Sequence, residues 1–307
     1  MNVIEVFEKE GIEIRTNVPG VKLSTFKTGG PISAVVYPKD INEVKKTVEI
    51  LTTEGKEYEV IGNGSNLLIS DSGYDGFCIR LKKLDNIDFY SQNVKVGAGV
   101  NLPVLLSKAE NASLSGLEWF FGIPSGVGGA VKMNAGCFGH NISEVFSSAE
   151  ILCDSEVVTI DKESAGFGYR TSVFDSKKIV LQVNFLLKKD NYYDICIRRE
   201  ECRHKRELMP KEPSLGSVFK RENDKSIAYF ADVLDMKGMR VGRAEISQKH
   251  SGFIVNLGGA KTMDFVMLAS YMQRKVFEEY GILFKPEVKF LGKMNKIEEK
   301  LFFKGDK

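Results

Sequence analysis

The alternation of apolar and polar positions divides the chain into short strands and a few amphipathic helices. Over residues 40–55, Ile41, Val44, Val48 and Leu51 recur at helical spacing, with Asp40 placed to cap the start, Glu43 three residues on and Gly55 as terminator. Around this helix the β-rich runs Ala34–Pro38, Tyr58–Gly62, Asn66–Asp71, Phe77–Leu81 and Asn93–Gly99 predict strands. Residues 101–113 predict a second helix, and Ser147–Asp154, Glu156–Asp161 and Lys178–Lys188 further strands. The texture changes at Asn191, where a charged stretch poor in strand formers runs to Leu208 and is closed by Pro210 and Pro213; we place a domain boundary there. Beyond it, Ser226–Lys237 and Thr262–Tyr280 have helical spacing ended by Gly238 and Gly281, while Ser251–Asn256 and Glu287–Gly292 predict strands. From Lys293 the charged sequence predicts a loosely held tail. The class is α+β, without the regular strand–helix alternation of a doubly wound nucleotide-binding sheet.

Bulk properties narrow the functions. With 43 basic against 41 acidic side chains the net charge is +2, too small a field to favour nucleic acid or an anionic membrane surface. The N-terminal residues carry acids where a secretory signal needs a basic start and an apolar run, so a cytoplasmic protein is expected. Five cysteines without Cys-x-x-Cys spacing and three dispersed histidines suit neither a disulfide framework nor a metal site.

Glycine carries the strongest chemical signal. Residues 122–136 hold five glycines and one proline in fifteen positions, a density that suggests tight turns or close approach of backbone to a ligand. A second loop, Ile61-Gly-Asn-Gly-Ser-Asn-Leu-Leu-Ile69, offers backbone N–H groups with the side-chain donors of Ser65 and Asn66. Alone it reads as a strand-connecting turn; two such loops together suggest one large anionic cofactor. Neither has the spacing of a Rossmann fingerprint or a P-loop. Three other groups are candidates: Arg170 after Tyr169, able to clamp a carboxylate; Ser217 after Gly216, with Lys220 close by; and Glu287 opening a strand after Pro286. Each has an ordinary structural alternative. Ser217 lacks the Gly-x-Ser-x-Gly context of a hydrolase nucleophile, and His250 is expected to be structural.

Taken in order, Thr25-Phe-Lys-Thr-Gly-Gly30, Ile61-Gly-Asn-Gly-Ser-Asn-Leu-Leu, Gly122-Ile-Pro-Ser-Gly-Val-Gly-Gly-Ala, Met133-Asn-Ala-Gly, Gly168-Tyr-Arg, Gly216-Ser-Val-Phe-Lys, Lys249-His-Ser-Gly-Phe-Ile-Val-Asn and Pro286-Glu-Val resemble the UDP-N-acetylenolpyruvoylglucosamine reductase (MurB) family. The resemblance runs from about Ser24 to Gly292. It implies an N-terminal segment over 1–25, a two-subdomain FAD-binding unit of the vanillyl-alcohol-oxidase type over 26–190, a substrate-binding α+β domain over 191–292 and a tail over 293–307. It further implies reduction of the enolpyruvyl ether of UDP-N-acetylglucosamine to UDP-N-acetylmuramate by NADPH through FAD, a cytoplasmic step of peptidoglycan precursor synthesis, by a monomer or weak oligomer.

By the same resemblance, Arg170, Ser217 and Glu287 are catalytic. Hydride delivered to the terminal carbon leaves negative charge on the carbon and carboxylate behind it; Arg170 would stabilise that charge, Glu287 in its protonated form would share or relay it, and Ser217 would protonate the carbon. Gly62, Asn63, Gly64, Ser65, Asn66, Gly122, Ile123, Pro124, Gly128 and Gly129 would hold FAD, and Tyr169 and Lys220 the substrate. The short connection Thr171 to Lys178 resembles the family branch without an inserted tyrosine loop, while Arg221 and Glu222 depart from the family's usual turn after the serine strand. Two other classes compete: an oxidase on the same cofactor fold, and a non-catalytic flavin or nucleotide-sugar binding module.

Overall fold

A computed structural model describes residues 2–293; residues 294–307 of the expected tail lie outside the described residues. The chain forms two compact units. The first takes residues up to Thr16 with Ala34–Asn63 and Gly76–Arg206, and the second takes Asn17–Ser33, Gly64–Asp75 and the chain from Glu207 onward.

In the first unit the helix Ile41–Thr53 begins as its sequence requires, the Asp40 carboxylate accepting the Glu43 N–H at 2.9 Å. Val44, Val48 and Leu51 are buried along one face, and Gly55 follows the helix in the left-handed region at φ +59°. Strand Tyr58–Ile61 pairs in parallel with Phe77–Arg80. A five-stranded antiparallel sheet runs in the order Glu156–Asp161, Phe146–Cys153, Ile179–Leu186, Asn93–Gly97 and Ile87–Tyr90. Its alternating Val94, Val96, Ala149, Ile151, Val183 and Phe185 are fully buried beneath Leu102, Leu105, Phe120, Val127 and Val131. The charged stretch after Asn191 is the helix Tyr192–Glu207, and the division between the units falls at its C-terminal end, between Arg206 and Glu207, rather than at Asn191. Arg198 explains the attachment: it pairs with the buried Glu118 at 2.8 Å and with Asp190 at 2.6 Å, interactions that lie wholly within this unit.

The second unit has a four-stranded antiparallel sheet ordered Ser214–Ser217, Phe253–Asn256, Ala244–Ile246 and Arg240–Val241. The helix Thr262–Tyr280 ends on Gly281 at φ +67°, as its sequence predicts. The expected helix from Ser226 is shorter, Ile227–Val233, with the Ser226 side chain accepting the Ala228 N–H at its start. Two early segments complete this unit. Phe26 packs edge-on against Phe265 with ring centres 5.0 Å apart, and Leu67–Ile69 pairs in parallel with Lys289–Leu291. The Asp71 carboxylate accepts the Thr262 and Met263 N–H groups at 2.9 and 3.1 Å, satisfying orphan donors at that helix start. Among the described residues no helix is long and apolar enough to cross a membrane.

Candidate active site

A cleft with about 640 Å³ of empty space, counted out to its mouth, opens in the first unit. Its floor is backbone: Gly62 and Asn63 after one strand, Ala98 and Gly99 after another, and Gly126, Gly128 and Gly129 at the start of the short helix Val127–Lys132. Close packing explains some of these glycines. A Cβ on Gly99 would stand 2.0 Å from the Leu81 carbonyl oxygen, and one on Gly128 would stand 3.0 Å from Ala98 Cβ. The Val127 and Gly128 N–H groups donate to the Val100 and Ala98 carbonyls at 2.9 Å each, pinning the helix start to the strand end. Asn63 joins the two glycine loops, its amide donating to Asn101 Oδ1 at 2.8 Å and to the Pro124 carbonyl at 3.3 Å.

The cleft is cationic. Among the described residues, Arg80, Lys82, Lys132 and Lys178 line it with a single acid, Asp175. Burial pushes the Asp175 carboxyl up, but the Lys178 and Lys177 N–H groups outweigh it and hold the group below the ordinary aspartate value. Arg80 Nε is buried with no hydrogen-bond partner among the described residues. A guanidinium N–H left unsatisfied beside a glycine-floored cleft is a donor awaiting an acceptor. These residues fit an elongated anionic cofactor such as FAD, whose phosphates would meet the cations and whose body would lie on bare backbone.

Six of the ten residues expected to hold the cofactor lie apart from the cleft lining. Gly64, Ser65 and Asn66 belong to the second unit. There Gly64, at φ +71°, is held by a close approach: its Cβ would stand 1.8 Å from the Leu23 carbonyl oxygen. The Asn66 amide donates to the Glu287 carbonyl at 3.0 Å. Gly122 is exposed, at φ +77°, against Arg206, whose Nε donates to the Phe121 carbonyl at 3.0 Å. Ile123 and Pro124 flank the lining without joining it. Gly62, Asn63, Gly128 and Gly129 do line it.

Arg170 and Tyr169 form a two-residue turn in the first unit. Gly168 and Thr171 exchange N–H···O bonds of 3.1 and 3.4 Å across it, which forces Arg170 to φ +55°. The guanidinium lies 5.4 Å from the centre of the Tyr169 ring and donates through Nη2 to the Gly136 carbonyl at 2.9 Å.

In the second unit, Gly216 sits at φ +76° in a β-bulge between Ser214 and Ser217, and Ser217 is exposed at the strand end. The strand continues alongside the segment carrying Glu287: the Glu287 N–H donates to the Val218 carbonyl at 2.8 Å, and the Lys220 N–H to the Lys285 carbonyl at 2.9 Å. Ser217, Lys220 and Glu287 therefore project from adjacent backbone. His250 is structural, as expected: Nδ1 accepts the Gly252 N–H at 3.1 Å and the ring packs edge-on against Phe253.

Comparison with known proteins matches this arrangement. Residues 32–161 match the model of an FAD binding domain, and residues 209–291 that of the UDP-N-acetylenolpyruvoylglucosamine reductase C-terminal domain. UDP-N-acetylenolpyruvoylglucosamine reductase of Clostridium kluyveri is 37% identical over 292 residues, covering 94% of this chain and 95% of that one. The protein of the same name from Fervidobacterium nodosum is 36% identical over 291 residues, covering 93% and 94%. This chain belongs to the UDP-N-acetylenolpyruvoylglucosamine reductase family.

The crystal structure of the MurB reductase from Thermus caldophilus superposes with a TM-score of 0.79 at 34% identity, over 91% of this chain and 98% of that one. As a member of this reductase family the chain is a flavin-dependent oxidoreductase. The expected α+β class holds, with an FAD-binding domain followed by a family-specific C-terminal domain. Sequence reasoning missed the cationic lining of the reductase's cleft: Arg80, Lys82 and Lys178 stand on or beside strands, where single charges look like ordinary solvated positions. Gly97-Ala-Gly99 at the end of a strand was the available signal, because two glycines there announce a close backbone approach.

Proposed function

We propose that this protein reduces UDP-N-acetylglucosamine enolpyruvate to UDP-N-acetylmuramate in peptidoglycan precursor synthesis, in the cytoplasm, with NADPH as electron source. The observation that carries this reading is identity of 37% to a reductase of that name across 94% of the chain. Bound FAD would supply the hydride after accepting it from NADPH. Gly62, Asn63, Gly128 and Gly129, which line the cleft, would give it a bare backbone floor, and Arg80 with the neighbouring lysines would neutralise its phosphates.

The remaining chemistry belongs to side chains. The substrate carboxylate is conjugated with the double bond, so addition at the terminal carbon spreads negative charge into it. Arg170 is our choice for stabilising that charge, since a guanidinium can present two parallel N–H groups to a carboxylate. Ser217 gives a proton to the carbon that bears the charge, and Glu287, in its protonated form, hydrogen-bonds the charged carboxylate and passes its own proton on to the Ser217 oxygen, with Lys220 in support. Exposure of Ser217 at a bulge, rather than in the core, is consistent with a group that must reach a ligand. Tyr169 lines the substrate pocket, and NADPH and substrate enter in turn, giving ping-pong kinetics.

Anaerobic spectroscopy tests the reading. NADPH should bleach the flavin band of the purified protein, and the enolpyruvyl sugar nucleotide should restore it without oxygen. A flavin that only oxygen restores would indicate an oxidase, and protein that binds the nucleotide sugar without turnover would indicate a binding module.

A further inference from the structure

The Met133-Asn-Ala-Gly136 motif has a residue that the chemistry above leaves unused. Asn134 is 7% exposed and sits in the left-handed region at φ +40°. Its two amide ends reach different segments of the first unit. Nδ2 donates to the Gly168 carbonyl at 3.0 Å, and Oδ1 accepts the Ser143 N–H at 3.1 Å.

Gly168 is the first residue of the turn that carries Arg170, and its carbonyl also accepts the Thr171 N–H that closes the turn. The other end of the arginine is tied to the same motif, because Arg170 Nη2 donates to the Gly136 carbonyl. Gly136 opens a tight hairpin in which it pairs with Asn141 and Cys137 pairs with His140. The hairpin leads directly to the Ile142–Glu144 turn whose Ser143 bonds Asn134. The fit is close: a Cβ on Gly136 would stand 3.2 Å from Arg170 Nη1 and 2.7 Å from the His140 carbonyl oxygen.

We propose that Asn134 is a positioning residue for Arg170: one buried amide clamps the turn that supplies the arginine backbone to the hairpin that supplies its guanidinium acceptor. The left-handed backbone at Arg170 needs such support, since a non-glycine residue holds that conformation only where its surroundings impose it. An amide suits the task because it donates at one end and accepts at the other. The inference rests on the reading of Arg170 as the group that meets the substrate carboxylate.

Two variants of the full-length flavin-loaded enzyme test it. Asn134→Asp keeps the acceptor for Ser143 but sets an oxygen against the Gly168 carbonyl. Asn134→Gly accepts the positive φ and removes both bonds, and serves if the aspartate variant folds poorly. The first readout is hydrogen exchange. The Gly168 and Thr171 amides should exchange about tenfold faster in either variant, the loss of one hydrogen bond's protection, while flavin content stays near wild type. The second is the flavin-reoxidation half-reaction with substrate, which should slow about tenfold while reduction by NADPH is unchanged. Combining Asn134→Asp with Arg170→Lys should then add nothing to the effect of Arg170→Lys alone.

Unchanged exchange at 168–171 overturns the proposal, as does strict additivity of the two substitutions. Should Arg170→Lys itself leave reoxidation untouched, the role given to Arg170 fails and with it the catalytic half of the inference, whereas the exchange result reports separately on the clamp.

Discussion

The Glu287 N–H donates to the carbonyl of Val218, the residue after Ser217, at 2.8 Å. A carboxylic acid and a hydroxyl therefore stand on neighbouring backbone in one unit, an arrangement in which the acid can serve the hydroxyl's proton balance. Ser217→Ala should leave reduction of the flavin by NADPH intact and slow its reoxidation by substrate by roughly 10²–10⁴, the usual range for loss of a general acid. Stopped-flow absorbance separates the two half-reactions. Equal slowing of both would remove Ser217 from the role of proton donor.

Two glycines of one loop should respond differently to alanine. Gly64 is at φ +71° with its Cβ position filled by the Leu23 carbonyl, so Gly64→Ala should cost more than about 2 kcal/mol and lower Tm sharply. Gly62 has ordinary backbone angles and open space where a Cβ would stand, yet it lines the cleft. Gly62→Ala should keep Tm in the apoprotein while weakening FAD binding, measured by calorimetry. A normal Tm in Gly64→Ala would show that the loop yields more than its packing allows.

Arg80 offers a test of the cationic lining. Its buried Nε has no hydrogen-bond partner among the described residues, so replacing it removes an unsatisfied donor along with a charge. Arg80→Met should therefore leave apoprotein stability within about 1 kcal/mol of wild type and weaken FAD affinity at least about tenfold, as expected for a charge-assisted hydrogen bond. Unaltered affinity in the flavin titration would dissociate Arg80 from the cofactor.

His250 gives a pH signature. Burial disfavours its imidazolium and outweighs the attraction of Asp232, with Lys237 acting in the same sense as burial, so the folded-state pKa lies below the ordinary 6.5. Between the folded value and 6.5 the unfolded chain binds more protons, so stability falls as pH is lowered from 6.5 through the folded pKa and is flat above. His250→Gln can keep an acceptor for the Gly252 N–H without titrating. Denaturant unfolding from pH 5 to 8 should show this slope in wild type and lose it in the variant; matching slopes would assign it to other groups.

Much of the fold was legible because local rules and tertiary packing agree. Asp40 and Glu43 start the helix Ile41–Thr53 as their sequence specifies, and Gly281 ends the helix Thr262–Tyr280. The sequence spacing overextends the helix from Ser226, because Leu234 continues the apolar stripe of Ile227, Phe230 and Ala231 while the chain turns at Asp235 with φ +51°. The stretch after Asn191 offered charge in place of pattern, and its helix is held by the Arg198 pairs with Glu118 and Asp190, partners distant in sequence or outside the helix.

By itself the sequence determined much of the secondary structure, the glycine loops and, through ordered motifs, the reductase family, since each depends on residues a few positions apart or on their order along the chain. Tertiary structure alone decided which glycines serve packing and which line a cleft. Gly62 and Gly64 are two residues apart, yet the first faces open space and the second faces the Leu23 carbonyl. It also decided that Arg80, Lys82, Lys132 and Lys178 surround one cleft, and that Asn134 bonds Gly168 thirty-four residues on. Those are distances between segments remote in sequence, fixed by how sheets and helices pack, and no local pattern of side chains encodes them.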